Sequence, residues 1–182
     1  MVKDMSTVKY TILVASRNRA QHVANLLGSL NRTSILQRRD LEIIIVDNST
    51  EDEELIALCK SYNVRCIPER RKGKANALNT GIRNAQGEYI LFTDDDVIIT
   101  DPQWPDTLAS HFKEIPNLGY VSGNVIAHQI QTTAQEKWEK KGGLSKGLKP
   151  KHFTRTYLDS FKFLPWPLTK ICAGANCMIP AE

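Results

Sequence analysis

The sequence predicts an α/β fold in which a mostly parallel, Rossmann-like sheet is flanked by helices. In the first hundred residues, short apolar segments rich in β-branched residues alternate with segments whose apolar residues recur every three to four positions. Strands that alternate with helices form parallel sheets with right-handed crossovers. The 182 residues, of which 41% are apolar and 24% charged, suffice for one domain with a sizeable core.

Two strand–helix pairs open this pattern. Residues 10–16 form a short apolar strand, and the apolar residues at 23, 26, 27 and 30 have the spacing of an amphipathic helix. Residues 41–46 form a second strand. Either Ser49 or Thr50 is expected to cap the next helix, because the acidic residues 52–54 then occupy its favourable first turn.

Two more strands and a helix complete the predicted parallel sheet. Residues 63–67 form a third strand, residues 75–84 a helix and residues 89–92 a buried fourth strand. A basic segment, residues 69–74, lies between the third strand and the helix. Because the carboxyl ends of parallel strands meet at one edge of a sheet, the polar residues that follow these strands are expected to line one crevice.

The pattern changes beyond Asp101. Residues 108–115 fit a helix, and residues 119–126 fit a strand that glycine interrupts. Residues 136–151 are rich in lysine and glycine, which favours a mobile loop, or a helix followed by one. We expect both halves to belong to one domain.

Three consecutive carboxylates, Asp94, Asp95 and Asp96, follow the fourth strand. Adjacent carboxylates repel one another unless a cation offsets their charge, and hard oxygen ligands suit Mg²⁺ or Mn²⁺. The alternation of a strand places Asp94 and Asp96 on one side and Asp95 on the other. The triplet therefore predicts a divalent-metal site, and the alternative is an acidic, solvated turn.

Further polar residues follow the other strands. Asp47, after the second strand, can accept a hydrogen bond from a nucleobase or from a ribose hydroxyl, although it could instead cap a helix. The basic segment could approach a diphosphate, and Gly73 would allow close backbone contact. Base, ribose, diphosphate and metal together indicate a nucleotide-bound substrate. The cations could also be a solvated loop.

Composition narrows the class of protein. The net charge of +4 is mild and the cations are dispersed, so we expect no nucleic-acid partner. The four cysteines lack metal-binding spacing, and no secretory or membrane-spanning run is present, which predicts reduced thiols in a cytoplasmic protein. The lysines between residues 137 and 151 are expected to be solvated, or to contact the inner face of a membrane that carries a lipid-linked acceptor.

Four segments stand in an order and spacing that resemble the family 2 glycosyltransferases of the GT-A fold. They are Ser16–Arg19, Val46–Thr50, Gly73–Asn79 with Gly87–Ile90, and Asp94–Asp96. The likeness is good over residues 10–101, and it resumes weakly at Trp138–Gly143 and Ala173–Asn176. It implies a GT-A-like sheet in which residues 1–101 form the nucleotide-sugar (donor) half, and residues 102–182 part of the acceptor half, of the same domain.

The resemblance also implies roles for individual residues. Asp47 matches the acid that contacts the nucleobase, and Asp96 matches the main metal ligand, with Asp94 near the ribose or the metal. Gly174 and Asn176 would approach the transferred sugar or the acceptor. The remaining donor-binding candidates are the other polar residues of these segments: Ser16, Arg17, Asn18, Arg19, Asn48, Lys74, Asn76 and Asp95.

The function that the resemblance implies is metal-dependent transfer of a sugar, with inversion, from a UDP- or GDP-linked donor to a saccharide or lipid-linked acceptor. Two departures qualify it. Asn48 replaces the second acid of the family's common acidic pair, and the downstream acidic pair that supplies the catalytic base is not found, so we expect the base beyond Glu182. The alternatives are a donor-binding module without transfer activity, and a nucleotidyltransferase, which usually has a glycine-rich loop where this chain has Ser16–Arg19.

Overall fold

The computed structural model describes residues 8–141, 143 and 175–181. Within these residues, six strands form one mixed sheet with helices on both faces, which confirms the α/β prediction. The strands are β1 (Tyr10–Ser16), β2 (Leu41–Asp47), β3 (Arg65–Pro68), β4 (Tyr89–Thr93), β5 (Val121–Ser122) and β6 (Asn176–Pro180). The helices are α1 (Ala20–Arg32), α2 (Glu53–Ser61), α3 (Lys74–Asn84), α4 (Trp104–Glu114) and α5 (Thr133–Lys140), with a short 3₁₀ turn at Ile35–Gln37.

The strand order is β3-β2-β1-β4-β6-β5. The first four strands of this order are mutually parallel, whereas β6 runs antiparallel to both β4 and β5. The chain goes from β1 outward to β2 and β3, and then returns to the other side of β1 as β4. Strand order reverses at this point, and open α/β sheets bind ligands at the carboxyl ends of the strands at such a point.

Strand alternation divides the core into two layers. Ile12, Val14 and Leu91 face helices α1, α2 and α4, whereas Leu13 and Ile44 face α3. Helix α3 lies close to β1, because a Cβ added to its Gly81 would stand 2.1 Å from a methyl carbon of Leu13. These layers fix the strand register, since a slip of one residue would turn each apolar side chain towards the wrong layer.

Several predicted boundaries change for local reasons. Helix α2 is capped by Asp52, whose carboxylate accepts from the backbone N–H of Leu55 at 2.9 Å, so the prediction of Ser49 or Thr50 as the cap was wrong. The third strand begins at 65, not at 63, because Asn63 is in the left-handed region with φ 55°. Helix α4 begins at Trp104, four residues before the predicted start at 108. A proline lies in its first turn, where the missing N–H costs nothing.

The second half departs further from the prediction. The strand expected over residues 119–126 is reduced to Val121–Ser122, which pairs with β6. Helix α5 begins ahead of the lysine-rich stretch, where Thr132 and Gln135 form a capping box. Most of residues 142–151, like Gly174, falls outside the described residues.

Two smaller expectations concern the thiols and membrane-spanning segments. Cys59, Cys66 and Cys177 are free thiols, Cys59 being buried and the other two half-buried, and Cys172 lies outside the described residues. Among the described helices, none has the length and apolar character needed to cross a bilayer.

Candidate functional site

A cleft with a volume of about 360 Å³ lies at the carboxyl edge of the sheet, beside the ends of β1 and β4. The sequence placed four polar clusters at this edge, and the structure brings members of all four together. The lining residues are Ala15, Ser16, Arg17, Arg19, Asn48, Lys72, Gly73, Lys74, Asp94, Asp95 and Asp96.

The aspartyl triplet lies in the turn that follows β4, which ends at Thr93. Its middle member is buried: Asp95 is 4% exposed, and its carboxylate accepts from Ser16 Oγ and Arg19 Nη1, each at 2.8 Å. The side chains of Asp94 and Asp96 are 33% and 50% exposed. Asp95 therefore ties the end of β4 to the end of β1, while its two neighbours face the cleft.

Two cations neutralise the outer carboxylates. Arg19 Nη2 donates to Asp96 Oδ2 at 3.0 Å, and Lys74 Nζ donates to Asp94. The hydrogen bond to Asp96, together with the charges of the triplet, raises the pKa of the Arg19 guanidinium. A divalent ion at Asp94 and Asp96 would compete with these side chains, which would then be available to other anions.

The amide of Asn48 fixes the shape of the basic segment. Asn48 is 7% exposed, and its Nδ2 donates to the carbonyl oxygens of Glu69 (2.7 Å) and Arg71 (2.9 Å). Its Oδ1 accepts from the N–H of Gly73 at 2.7 Å. Gly73 itself has φ 130°, which L side chains rarely adopt, and it leads directly into α3 at Lys74.

Glu69 is a buried residue of this region that sequence reasoning missed. It is 7% exposed, and its carboxylate accepts from the backbone N–H of Arg71 (2.8 Å), from the Arg71 guanidinium and from Thr80 Oγ1. The hydrogen bonds from Arg71 and Thr80 lower the pKa of Glu69 to about 2. A single acid at the start of a run of cations was the sequence signal that could have identified it.

Four donor-binding candidates among the described residues lie outside the lining of the cleft: Asn18, Asp47, Asn76 and Asn176. Asp47 is buried, and its carboxylate accepts from the N–H of Ser49 at 2.9 Å and from the Ser49 hydroxyl, so it caps a local turn and not α2. Asn76 donates to the carbonyl oxygen of Lys72 at 3.1 Å. Asn18 is exposed, with φ 53°, a left-handed conformation that asparagine tolerates.

Asn176, the first residue of β6, pairs in register with Thr93, which directly precedes the triplet. Its Oδ1 accepts from the indole N–H of Trp104 at 2.8 Å, and its Nδ2 donates to the carbonyl oxygen of Asn124 at 3.1 Å. Trp104 packs in the core on α4. The structure thus shows Asn176 joining three segments next to the cleft.

The side-chain oxygens of the cleft fit a divalent ion of the Mg²⁺ or Mn²⁺ type. In the described part of the chain, no three His, Cys, Asp or Glu residues form a ready-made metal cluster. Mg²⁺ does not need one, because it usually binds through one or two carboxylates, water and the phosphates of a substrate. Asp94 and Asp96, both partly exposed in the cleft, supply that number of hard oxygen ligands.

Comparison with known sequences identifies the family to which the chain belongs. A sequence model described as glycosyl transferase family 2 matches residues 11–180. The poly-beta-1,6-N-acetyl-D-glucosamine synthase of Staphylococcus epidermidis is 34% identical over 118 residues, which cover 63% of this chain and 28% of that protein. The chain therefore spans less than a third of the length of the synthase that it matches.

Solved structures bear on the fold. A mannosyltransferase from Pyrobaculum calidifontis, in complex with GDP-Man and Mn²⁺, superposes with a TM-score of 0.56 at 24% identity, over 65% of this chain and 36% of that one. Mannosyl-3-phosphoglycerate synthase from Rubrobacter xylanophilus gives 0.59 at 16% identity, over 96% and 54%. Glucosyl-3-phosphoglycerate synthase from Mycobacterium tuberculosis, in complex with UDP, gives 0.57 at 16% identity, over 96% and 57%. The chain belongs to glycosyl transferase family 2, and its sheet has the GT-A fold.

Proposed function

We propose that the cleft binds a nucleoside-diphosphate sugar together with Mg²⁺ or Mn²⁺, and that the sugar is transferred to a hydroxyl group of an acceptor. One observation carries the proposal: two partly exposed carboxylates and several cations line the same cleft, where the strand order of a parallel sheet reverses. Carboxylates suit the metal, and cations suit the diphosphate. A site for only one of these ligands would not need both signs of charge.

The charges of the lining divide into two groups. Asp94 and Asp96 would hold the ion, and Lys72 and Lys74 would bind the diphosphate, helped by the positive amino-terminal end of α3. Arg19 would keep its contact with the buried Asp95 and would give up Asp96 to the ion. The ion, when bound, stabilises the negative charge of the diphosphate leaving group.

The comparisons support the choice of ligands to test. The Pyrobaculum enzyme was solved with GDP-Man and Mn²⁺, and the Mycobacterium enzyme with UDP, so both nucleotides are suitable donor probes. The Staphylococcus relative makes a polysaccharide by name, which supports a saccharide acceptor, free or lipid-linked. Direct displacement would invert the anomeric carbon, and Asp47 and Asn176 remain candidates for contacts to the base and to the transferred sugar.

The decisive test is calorimetric titration of UDP and of GDP with and without Mn²⁺. We expect binding of at least one nucleotide that depends on Mn²⁺, and its loss in Asp96→Ala. The matched control is Glu114→Ala, which removes an exposed carboxylate of α4 away from the cleft and should bind like the unaltered protein. The proposal would be refuted if the affinity for both nucleotides were the same with and without Mn²⁺ and were unchanged in Asp96→Ala.

A second candidate is a donor-binding module without transfer activity. Among the described residues, the carboxylates that line the cleft are those of the aspartyl triplet. Each of them already accepts a hydrogen bond from Arg19 or Lys74, so we name none of them as the base that would take the acceptor's proton. Release of UDP or GDP from the matching sugar nucleotide, measured with Mn²⁺ beside binding, separates the two functions. Binding without release over many hours would favour the module.

A further inference from the structure

We propose that Asn48 and Glu69 are positioning residues, which hold the basic segment (residues 69–74) in the conformation that binds the donor's diphosphate. The inference rests on the proposed function and assigns these two residues a role in it. Both are buried, Asn48 in the lining of the cleft and Glu69 beside it, and both accept or donate hydrogen bonds within the basic segment. Neither is expected to contact the phosphates itself.

Asn48 acts from the end of β2. Both N–H groups of its amide are used, one on the carbonyl oxygen of Glu69 and the other on that of Arg71, while its Oδ1 holds the N–H of Gly73. An aspartate here could still accept from Gly73, but it could not donate to two carbonyl oxygens. An asparagine therefore suits this segment better than the second acid of the family's common pair would.

Glu69 acts from the other side of the segment. Its carboxylate joins Arg71 to Thr80 on α3, and its backbone N–H donates to the carbonyl oxygen of Asp47 at 2.8 Å. The end of β3 is thereby connected both to β2 and to the helix that follows the basic segment. A charged hydrogen bond of this kind is stronger than a neutral one.

The segment needs such anchors because its own composition opposes an ordered shape. Arg70, Arg71, Lys72 and Lys74 repel one another, and all four are exposed. Gly73 has φ 130°, and because glycine has no side chain, its backbone has no intrinsic preference for this conformation over others. Without Asn48 and Glu69, the two cleft-lining lysines would have to be ordered at the moment of binding, which lowers affinity.

The test compares Asn48→Asp and Glu69→Gln with the unaltered protein. UDP and inorganic diphosphate are titrated, each with Mn²⁺, and hydrogen exchange is measured for residues 70–74. We expect both ligands to bind about tenfold more weakly, since one or two strong hydrogen bonds are lost, and exchange of the segment to rise. The loss for inorganic diphosphate shows that the effect does not depend on the base.

Glu42→Gln is the matched control, because Glu42 is a poorly exposed glutamate that lies away from the cleft. Its carboxylate accepts hydrogen bonds from Arg65, from Thr11 and from the N–H of Gln86. It should lower the melting temperature and leave diphosphate affinity unchanged. If Glu69→Gln or Asn48→Asp behaves in the same way, the positioning role is refuted.

Two further outcomes are also decisive. If an anchor variant does not fold, Thr80→Val is the second test. It removes the α3 contact of Glu69, together with an exposed hydrogen bond from Arg83, and leaves the contacts between Glu69 and Arg71 in place. It should still weaken diphosphate binding by a few fold, and unchanged binding would overturn the inference. If the unaltered protein binds neither UDP nor diphosphate, the proposed function fails, and the inference fails with it.

Discussion

The two edges of the parallel sheet use charge in opposite ways. At the amino edge, Tyr10 donates to Asp106 at 2.7 Å, and the guanidinium of Arg38 bonds both Asp40 and Asp106. These partners come from the starts of β1 and β2 and from α4, and they satisfy one another. At the carboxyl edge, charged side chains of both signs line an open cleft.

The titration of the amino edge reflects this mutual pairing. The hydrogen bond from Arg38 is the main reason that the pKa of Asp106 is lowered to about 2, and Arg38 also lowers the pKa of Asp40. The partnered Arg38 has a raised pKa. The ion pairs of the amino edge thus stabilise the fold, whereas those of the carboxyl edge border an open cleft, where the proposed ligands would compete for them. Substitutions can separate these two uses.

The largest expected effect is on stability, at the amino edge. Gly87 precedes β4, and a Cβ at this position would lie 2.6 Å from the backbone nitrogen of Thr11, which cannot move without moving β1. Gly87→Ala should therefore lower the free energy of unfolding by about 3 kcal/mol, measured by urea denaturation. UDP affinity of the folded protein, with Mn²⁺, should stay within about twofold.

Gly119→Ala is the control for this change, since no atom of the described residues, apart from its chain neighbours, lies within 4 Å of an added Cβ at that position. It should alter stability by less than about 0.5 kcal/mol. Equal stability of the two alanine variants would show that β1 and the start of β4 are not packed as described.

A smaller effect, on binding alone, is expected at the carboxyl edge. Lys74→Met removes a cation from the cleft and keeps the apolar part of the side chain. UDP with Mn²⁺ should bind about tenfold more weakly by calorimetry, and the difference should shrink at high salt. Stability should hardly change, because Lys74 is more than half exposed.

Lys113→Met removes an exposed cation from α4 and serves as the comparison for Lys74→Met. Its UDP affinity should equal that of the unaltered protein. A similar loss in both variants would mean that the affinity follows net charge rather than the cleft.

The smallest effect is on the pH dependence of stability. Because Asp106 titrates at about 2 when folded and near 3.8 otherwise, its contribution is present above pH 3.8 and is lost as the pH falls towards 2. Asp106→Asn should cost about 1 kcal/mol at pH 7, since the side chain is about half exposed, and less at pH 3. Urea denaturation at both pH values measures this, and an unchanged pH slope would contradict it.

The sequence was informative wherever one local pattern decides the structure. The strands at 10–16, 41–47 and 89–93 are short and dominated by apolar residues, and parallel pairing then requires their carboxyl ends to meet. This topology predicted the position of the cleft. It also predicted that the cleft would bring together Ser16, Arg19, Lys74 and the triplet.

What the sequence did not predict depends on contacts between distant residues. Asn48 was interpreted by comparison with an acidic pair, but its partners lie 21 to 25 residues away in a segment of irregular backbone. Glu69 had no motif. The cap of α2 was misplaced because Ser49, Thr50 and Asp52 all suit that position, and the choice depended on Ser49 bonding Asp47 instead.

The antiparallel pairing of β6 has a consequence for how this family can diversify. Ser122 and Cys177 are paired neighbours in the sheet although 55 positions separate them in sequence, so both ends of the intervening stretch are fixed to the same scaffold. Insertions between two fixed ends cost little free energy, because closure entropy grows only slowly with loop length. Evolution could therefore change the length and sequence of that stretch while the aspartyl turn after β4 stays as it is.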